Sequence, residues 1–131
     1  EYKVNLNKNQ IISISIDFSQ LIGLYDITYV NSYNYDIDLK REIKLKDLFK
    51  EDEDYMDIIN YFILKEIDEY LYDRFKGISD DNTFYITKEY LVICFSSYEL
   101  DQKYSVALEF KIPIDEIKKY LSDYMINNIL G

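Results

Sequence analysis

Two early segments of the chain alternate apolar and polar residues with a period of two. In IISISIDF, residues 11 to 18, Ile12, Ile14, Ile16 and Phe18 oppose Ser13, Ser15 and Asp17. From Tyr25 to Leu39 the odd positions read Tyr25, Ile27, Tyr29, Asn31, Tyr33, Tyr35, Ile37 and Leu39. The even positions read Asp26, Thr28, Val30, Ser32, Asn34, Asp36 and Asp38. A strand sends successive side chains to opposite faces, so both segments are predicted to be half-buried antiparallel strands of one sheet. For the second segment, two strands joined by a turn that keeps the phase fit equally well. The tyrosine face is expected to pack on the core with its hydroxyls at the rim, and the polar face to meet solvent. EIKLKDLFK continues the alternation at Ile43 and Leu45, and a turn at 39–41 would fold it back as a hairpin.

Helical spacing takes over after the acidic run EDEDYMD. Tyr55, Ile58, Ile59, Phe62, Ile63, Ile67, Tyr70, Leu71 and Phe75 recur at about 3.6 residues, which predicts one long helix over 54–75 with a broad buried stripe. Gly77 is expected to end it, with SDDN at 79–82 as a turn. TFYIT, YLVICFSSYEL and YSVALEFKI are rich in β-branched and aromatic residues and read as strands separated by turns. Pro113 then opens a final helix with Ile114, Ile117, Leu121, Tyr124 and Met125 on one face. The order predicts an α+β fold, an antiparallel sheet with one long and one C-terminal helix packed on one face.

At 131 residues the chain is expected to form a single domain. Its net charge of −10 argues against nucleic acid and anionic membrane surfaces and favours a cationic partner. No apolar run is long enough to span a bilayer. Because the chain begins at Glu1 without Met, it is expected to be a fragment of a longer anchored or secreted protein. The single cysteine, Cys94, is expected to be a core thiol.

Chemistry is sparse. With no histidine, Ser-His, Cys-His and His-containing metal sites are excluded. Asp26, Asp36 and Asp38 are the best carboxylate candidates for acid–base work, but three carboxylates on the polar face of a strand are also what solvent exposure alone predicts. Glu51, Asp52, Glu53 and Asp54 complement the positive end of the following helix, and the ligand ladder and central glycine of a calcium loop are absent. None of the three glycines sits in a nucleotide-binding pattern. The expectation is a non-enzyme with no cofactor and no metal.

NYDIDLKREIKLKDLF (34–49), FKGISDDNTFYITKEYLVICFSSYEL (75–100) and EFKIPIDEIKKYL (109–121) together resemble the bacterial extracytoplasmic domain of unknown function DUF3298. That family includes the sensor domains of lysozyme-responsive sigma-V anti-sigma factors and parts of some peptidoglycan deacetylases. The resemblance implies a non-catalytic extracytoplasmic binding or sensing domain, in a membrane-anchored or secreted protein of a Gram-positive cell surface. Its alternatives are an accessory domain of a peptidoglycan-modifying enzyme and a carboxylate-dependent hydrolase. Where the family has a Gly-Gly-Ala-His element, this chain reads Gly23-Leu24-Tyr25-Asp26, and Lys40 stands where the family has a hairpin glycine. Leu24, Tyr25 and Asp26 in that divergent element, with Glu51, Asp52 and Glu53 as an acidic steering patch, are the expected contacts for a cationic protein such as lysozyme.

Overall fold

The computed structural model describes all residues from Glu1 to Gly131. It is an α+β fold built on two antiparallel sheets. The first holds β1 (Tyr2–Lys8), β2 (Ile11–Ile22), β3 (Tyr25–Asp36) and the two-residue β4 (Arg41–Glu42) in that order. The second holds β5 (Phe84–Ile86), β6 (Tyr90–Phe95) and β7 (Leu108–Pro113). Between them lie a short 3-10 turn at Leu45–Leu48 and the helices α1 (Tyr55–Leu64) and α2 (Glu69–Tyr72). After β7 come α3 (Ile114–Ile117), a 3-10 turn at Lys118–Tyr120 and a π turn at Met125–Ile129.

The turns follow from backbone chemistry. β1 and β2 are joined by Asn9 and Gln10, both at positive φ, the conformation a tight type I′ hairpin needs. β2 and β3 are joined by Gly23 and Leu24, with only Gly23 at positive φ, as in a type II′ hairpin. Lys40 is held at φ 55° before β4. The strand β1 was not anticipated, although Tyr2, Val4 and Leu6 alternate within it.

The second sheet carries the main core. Phe84, Ile86, Leu91, Ile93, Phe95, Phe110 and Ile112 form one buried face, against which Ile59, Ile63, Ile114, Ile117, Leu121, Met125 and Ile129 pack. The opposite face presents Tyr85, Val92 and Cys94 to Val30 of β3. Cys94 is fully buried there, and burial pushes its thiol pKa well up.

The helix expected over 54–75 is broken. It runs only to Leu64, and a second N-cap restarts it at Asp68, whose carboxylate accepts from the Leu71 N–H at 2.9 Å. Asp54 caps the first segment in the same way through the Asp57 N–H. Ile59, Ile63 and Leu71 are core residues, but Phe62 is only half buried, with the Lys65 ammonium 4.6 Å from its ring centroid. Gly77 follows the helices rather than ending α1. Its φ of 94° favours glycine, and a Cβ there would meet the Asn60 amide nitrogen at 2.9 Å and require that side chain to shift. The last helix is likewise one α turn followed by a 3-10 turn and a π turn, restarted by Ser122, whose hydroxyl accepts from the Met125 N–H.

The largest departure concerns the alternating strands. In β2 and β3 the residues turned inward are Ile11, Ser13, Ser15, Val30, Asn34 and Asp36, while Ile16, Phe18, Tyr25 and Tyr33 are exposed. The tyrosine face therefore looks outward and the polar face inward, the reverse of the expectation. The cause is the neighbour. β5 is an edge strand whose free backbone groups meet the polar face of β2 and β3. The Ile86 N–H donates to Ser13 Oγ at 2.9 Å, Ser13 Oγ donates to Asn34 Oδ1 at 2.6 Å, and Asn34 Nδ2 donates to the Phe84 carbonyl at 2.9 Å. Those groups would otherwise be buried without partners.

Candidate recognition surface

The expected contact residues fall into two separate places. Leu24, Tyr25 and Asp26 form the tip of the β2–β3 hairpin, all three exposed, with Leu24 at 98%. Glu51, Asp52 and Glu53 lie in the turn between the Leu45–Leu48 helix and α1, beside Lys50, whose N–H donates to the Tyr120 carbonyl. The tip stands about 36 Å along β3 from Asp36 at the strand's other end, at roughly 3.3 Å per residue. The acidic turn shares no hydrogen bond with the tip, so the structure does not assemble the two groups into one site.

The tip is apolar beyond the residues singled out from the sequence. Leu21 and Ile22 precede Gly23 and are exposed, and Tyr25 with Ile22, Ile27, Tyr98 and Gln102 lines a shallow recess of about 300 Å³. Tyr98 is held at φ 65° by its N–H to the Tyr104 carbonyl, in a loop that was expected to continue the strand YLVICFSSYEL to Leu100, whereas β6 ends at Phe95 because Ser96 and Ser97 turn away to bond the hairpin. Two serines fix that loop to the hairpin: the Val30 and Thr28 N–H groups donate to Ser96 Oγ and Ser97 Oγ, each at 2.9 Å. The recess is thus built on two anchored elements rather than on a free loop.

The carboxylates considered for catalysis do not share one strand face: Asp38 is exposed in the turn at 37–40, with its N–H on the Asp36 carboxylate. Asp26 is exposed at the tip, about 33 Å along the strand from Asp36, whereas carboxyl pairs that cleave glycosides stand within about 10 Å. Asp36 is not on a solvated face. It is buried, and although burial opposes its ionisation, the Tyr124 hydroxyl, the Leu39 and Asp38 N–H groups and Arg41 outweigh that and hold its pKa below the usual range. Tyr124 is pushed up in turn, by burial first and by Asp36 second. Arg41 completes the cluster, 5.6 Å from the Tyr124 ring centroid and bridged to Asp47 at 3.1 Å. This arrangement ties the C-terminal turns to the base of the hairpin, with one Asp36 oxygen accepting from the Leu39 N–H and the other from the Tyr124 hydroxyl.

A polar cleft of about 390 Å³ lies between the sheets, lined by Asn31, Ser32, Glu42, Lys44, Asp81 and Thr83 among others. No group of three or more metal-ligating side chains is placed to hold an ion.

Residues 46–115 match the family model described as a protein of unknown function, DUF3298. The chain belongs to the DUF3298 family. A DUF3298-family protein of Bacteroides fragilis has a similar solved structure, with a TM-score of 0.69 at 20% identity, covering 98% of this chain and 56% of its own. A family protein of Pseudomonas aeruginosa aligns with a TM-score of 0.69 at 12% identity, over 95% of this chain and 62% of its own. The chain therefore spans little more than half the length of these relatives, and the likeness is one of fold. No curated protein matches the chain. The DUF3298 model begins at Lys46, so the hairpin with the exposed tip lies outside the match while remaining inside the structural alignment.

Proposed function

We propose that this DUF3298 domain is a non-catalytic, extracytoplasmic binding module that engages a partner protein with the tip of its β2–β3 hairpin. The observation that carries the reading is Leu24, 98% exposed beside a 66% exposed Tyr25 on a tip braced by Ser96 and Ser97. An apolar pair held out on a stiff support loses little entropy on binding and suits an anchor role. The net charge of −10 supports a cationic partner such as lysozyme, drawn in by long-range attraction. Glu51, Asp52 and Glu53, apart from the tip, fit a steering role and not a contact role. A second reading, an accessory domain of a peptidoglycan-modifying enzyme, is favoured by the greater length of the solved relatives.

Surface-based binding to lysozyme across a salt series tests the first reading. Association should be fastest at low salt and slow as the Debye length falls from about 30 Å at ~0.01 M to about 8 Å at ~0.15 M. Leu24→Ala and Tyr25→Ala should mainly speed dissociation, whereas neutralising Glu51, Asp52 and Glu53 together should mainly slow association. Absence of binding at low salt would reject lysozyme as the partner, and binding indifferent to both tip variants would reject the tip.

A further inference from the structure

The loop from β6 to β7 is closed at its base by the pairing of Phe95 with Leu108, and Ser96 and Ser97 fix its start to β3. None of residues 98–107 beyond that start is buried. Their principal tie is to α2, through two reciprocal tyrosine–aspartate bonds. The Tyr70 hydroxyl donates to Asp101 Oδ2 at 2.9 Å, and the Tyr104 hydroxyl donates to Asp68 Oδ2 at 3.0 Å. The two rings stack with centroids 6.3 Å apart, and the Arg74 guanidinium lies 3.8 Å over the Tyr70 ring. Both hydroxyls have their pKa raised, first by the aspartate each one bonds. From this clasp a chain of bonds leads to the recess at the hairpin tip. The Tyr104 N–H donates to the Asp101 carbonyl at 3.0 Å, and the Tyr104 carbonyl accepts the Tyr98 N–H at 2.9 Å. Tyr98 and Gln102 line both that recess and a second cleft of about 660 Å³, to which Phe75, Phe95 and Leu100 also contribute. The loop is therefore the wall between the two.

We infer that residues 98–107 form a strap that opens without unfolding the rest of the chain, and that the Tyr–Asp clasp on α2 sets how often Tyr98 leaves the recess. Local opening is easiest where little apolar surface is buried and the hydrogen bonds meet solvent, and the strap meets both conditions. Leu100 packs half-buried against the main core and Ala107 against the smaller cluster, while Val106 is 55% exposed. Nothing else in the fold depends on the closed position. The β6–β7 ladder already holds the two ends of the loop together, so the second sheet keeps its register when the strap lifts. Asp68 caps α2 with Oδ1, through the Leu71 N–H, and only its other oxygen holds Tyr104. Opening leaves that cap in place. What changes is the recognition surface: with Tyr98 and Gln102 displaced, the tip recess and the cleft beside it become one groove, reaching the Phe75–Phe95 edge-to-face pair. Aspartate strengthens each clasp bond, but water screens both pairs, so each holds the closed form by only a few-fold.

Native-state hydrogen exchange on the chain alone tests the strap, so its outcome does not depend on whether the tip binds lysozyme. The Tyr98 and Tyr104 N–H groups report the strap, and the Cys94 N–H, which donates to the Thr83 carbonyl, reports the second sheet. Protection of the two tyrosine amides should be about a hundredfold or more below that of Cys94. Tyr70→Phe combined with Tyr104→Phe removes both hydroxyls and keeps the rings, and should raise the opening seen at Tyr98 about tenfold. Ile63→Val, in the core, should speed exchange at Cys94 by about threefold to tenfold and leave Tyr98 and Tyr104 unchanged, because strap opening does not break that contact. Near-UV circular dichroism confirms that each variant folds, and Tyr104→Phe alone, expected at about threefold, replaces the pair if the pair does not. Tyrosine amides as protected as Cys94, or accelerated in step with it by Ile63→Val, would show that the loop opens only on global unfolding and overturn the inference. Exchange at Tyr98 indifferent to loss of the hydroxyls would overturn the role of the clasp.

Discussion

The two sheets make opposite use of their hydrophobic residues. In the second, Tyr85, Leu91, Val92, Ile93, Cys94 and Phe95 are buried on both faces, because α1 and the C-terminal turns cover one side and β3 covers the other. In the first, β2 and β3 alternate cleanly, yet Ser13, Ser15 and Asn34 are buried while Phe18, Tyr25 and Tyr33 face out. Alternation identifies which side chains share a face. Which face turns inward depends on what waits there, and here that is an edge strand needing hydrogen bonds.

The largest test of this contrast sets one residue from each sheet against the other. Ile93→Ala, at a fully buried position, should cost about 2–5 kcal/mol in chemical denaturation, whereas Tyr33→Ala should cost under ~1 kcal/mol. Comparable losses would mean that the tyrosine face is packed. A smaller effect is expected where the polar face meets β5. Asn34→Ala removes the donor to the Phe84 carbonyl and the acceptor for Ser13, and should cost about 1–3 kcal/mol. A neutral result there would show that water replaces the side chain and that the inward polar face is not what holds the sheets together.

The smallest effect is one of pH, at the base of the same hairpin. Asp36 has its pKa lowered in the folded state, so its contribution to stability is present above the ordinary carboxylate value of about 3.9 and is lost as pH falls through the folded value. Tyr124 has its pKa raised, so its contribution is present below the ordinary value of about 10 and is lost as pH rises beyond it. Denaturation midpoints across the acid range should therefore fall less steeply for Asp36→Asn than for the wild-type chain. An unchanged acid limb would remove Asp36 from the account of the hairpin's base.

Much of the architecture was legible in the residues. The α+β class, the placement of β2 and β3 in one sheet, the strands around Leu91 to Phe95 and the burial of Cys94 all follow from periodicity and β propensity. The break at Asp68 was missed because the apolar stripe continues in phase across it, although an Asp three residues before a buried Leu is itself a capping signal. Leu24 and Tyr25 were singled out by their place in the element that diverges from the family, and both are exposed at the hairpin tip. Tyr98 and the anchoring serines were not, since YLVICFSSYEL reads as one strand through Leu100 and the end of β6 at Phe95 leaves no mark in the pattern.

What the sequence by itself determined is local: strand phase, capping residues, the turn at Gly23, the absence of histidine and the excess of carboxylates. These depend on backbone geometry and side-chain chemistry within a few positions. Tertiary structure alone decided the orientation of the first sheet, the consumption of Asp36 by Tyr124 and Arg41, and the separation of the hairpin tip from Glu51–Glu53. Each of those turns on groups brought together from distant parts of the chain. Ser13 and Ile86, 73 positions apart, are the decisive pair, because a buried N–H must find an acceptor whether or not the hydrophobic pattern would have placed a serine there.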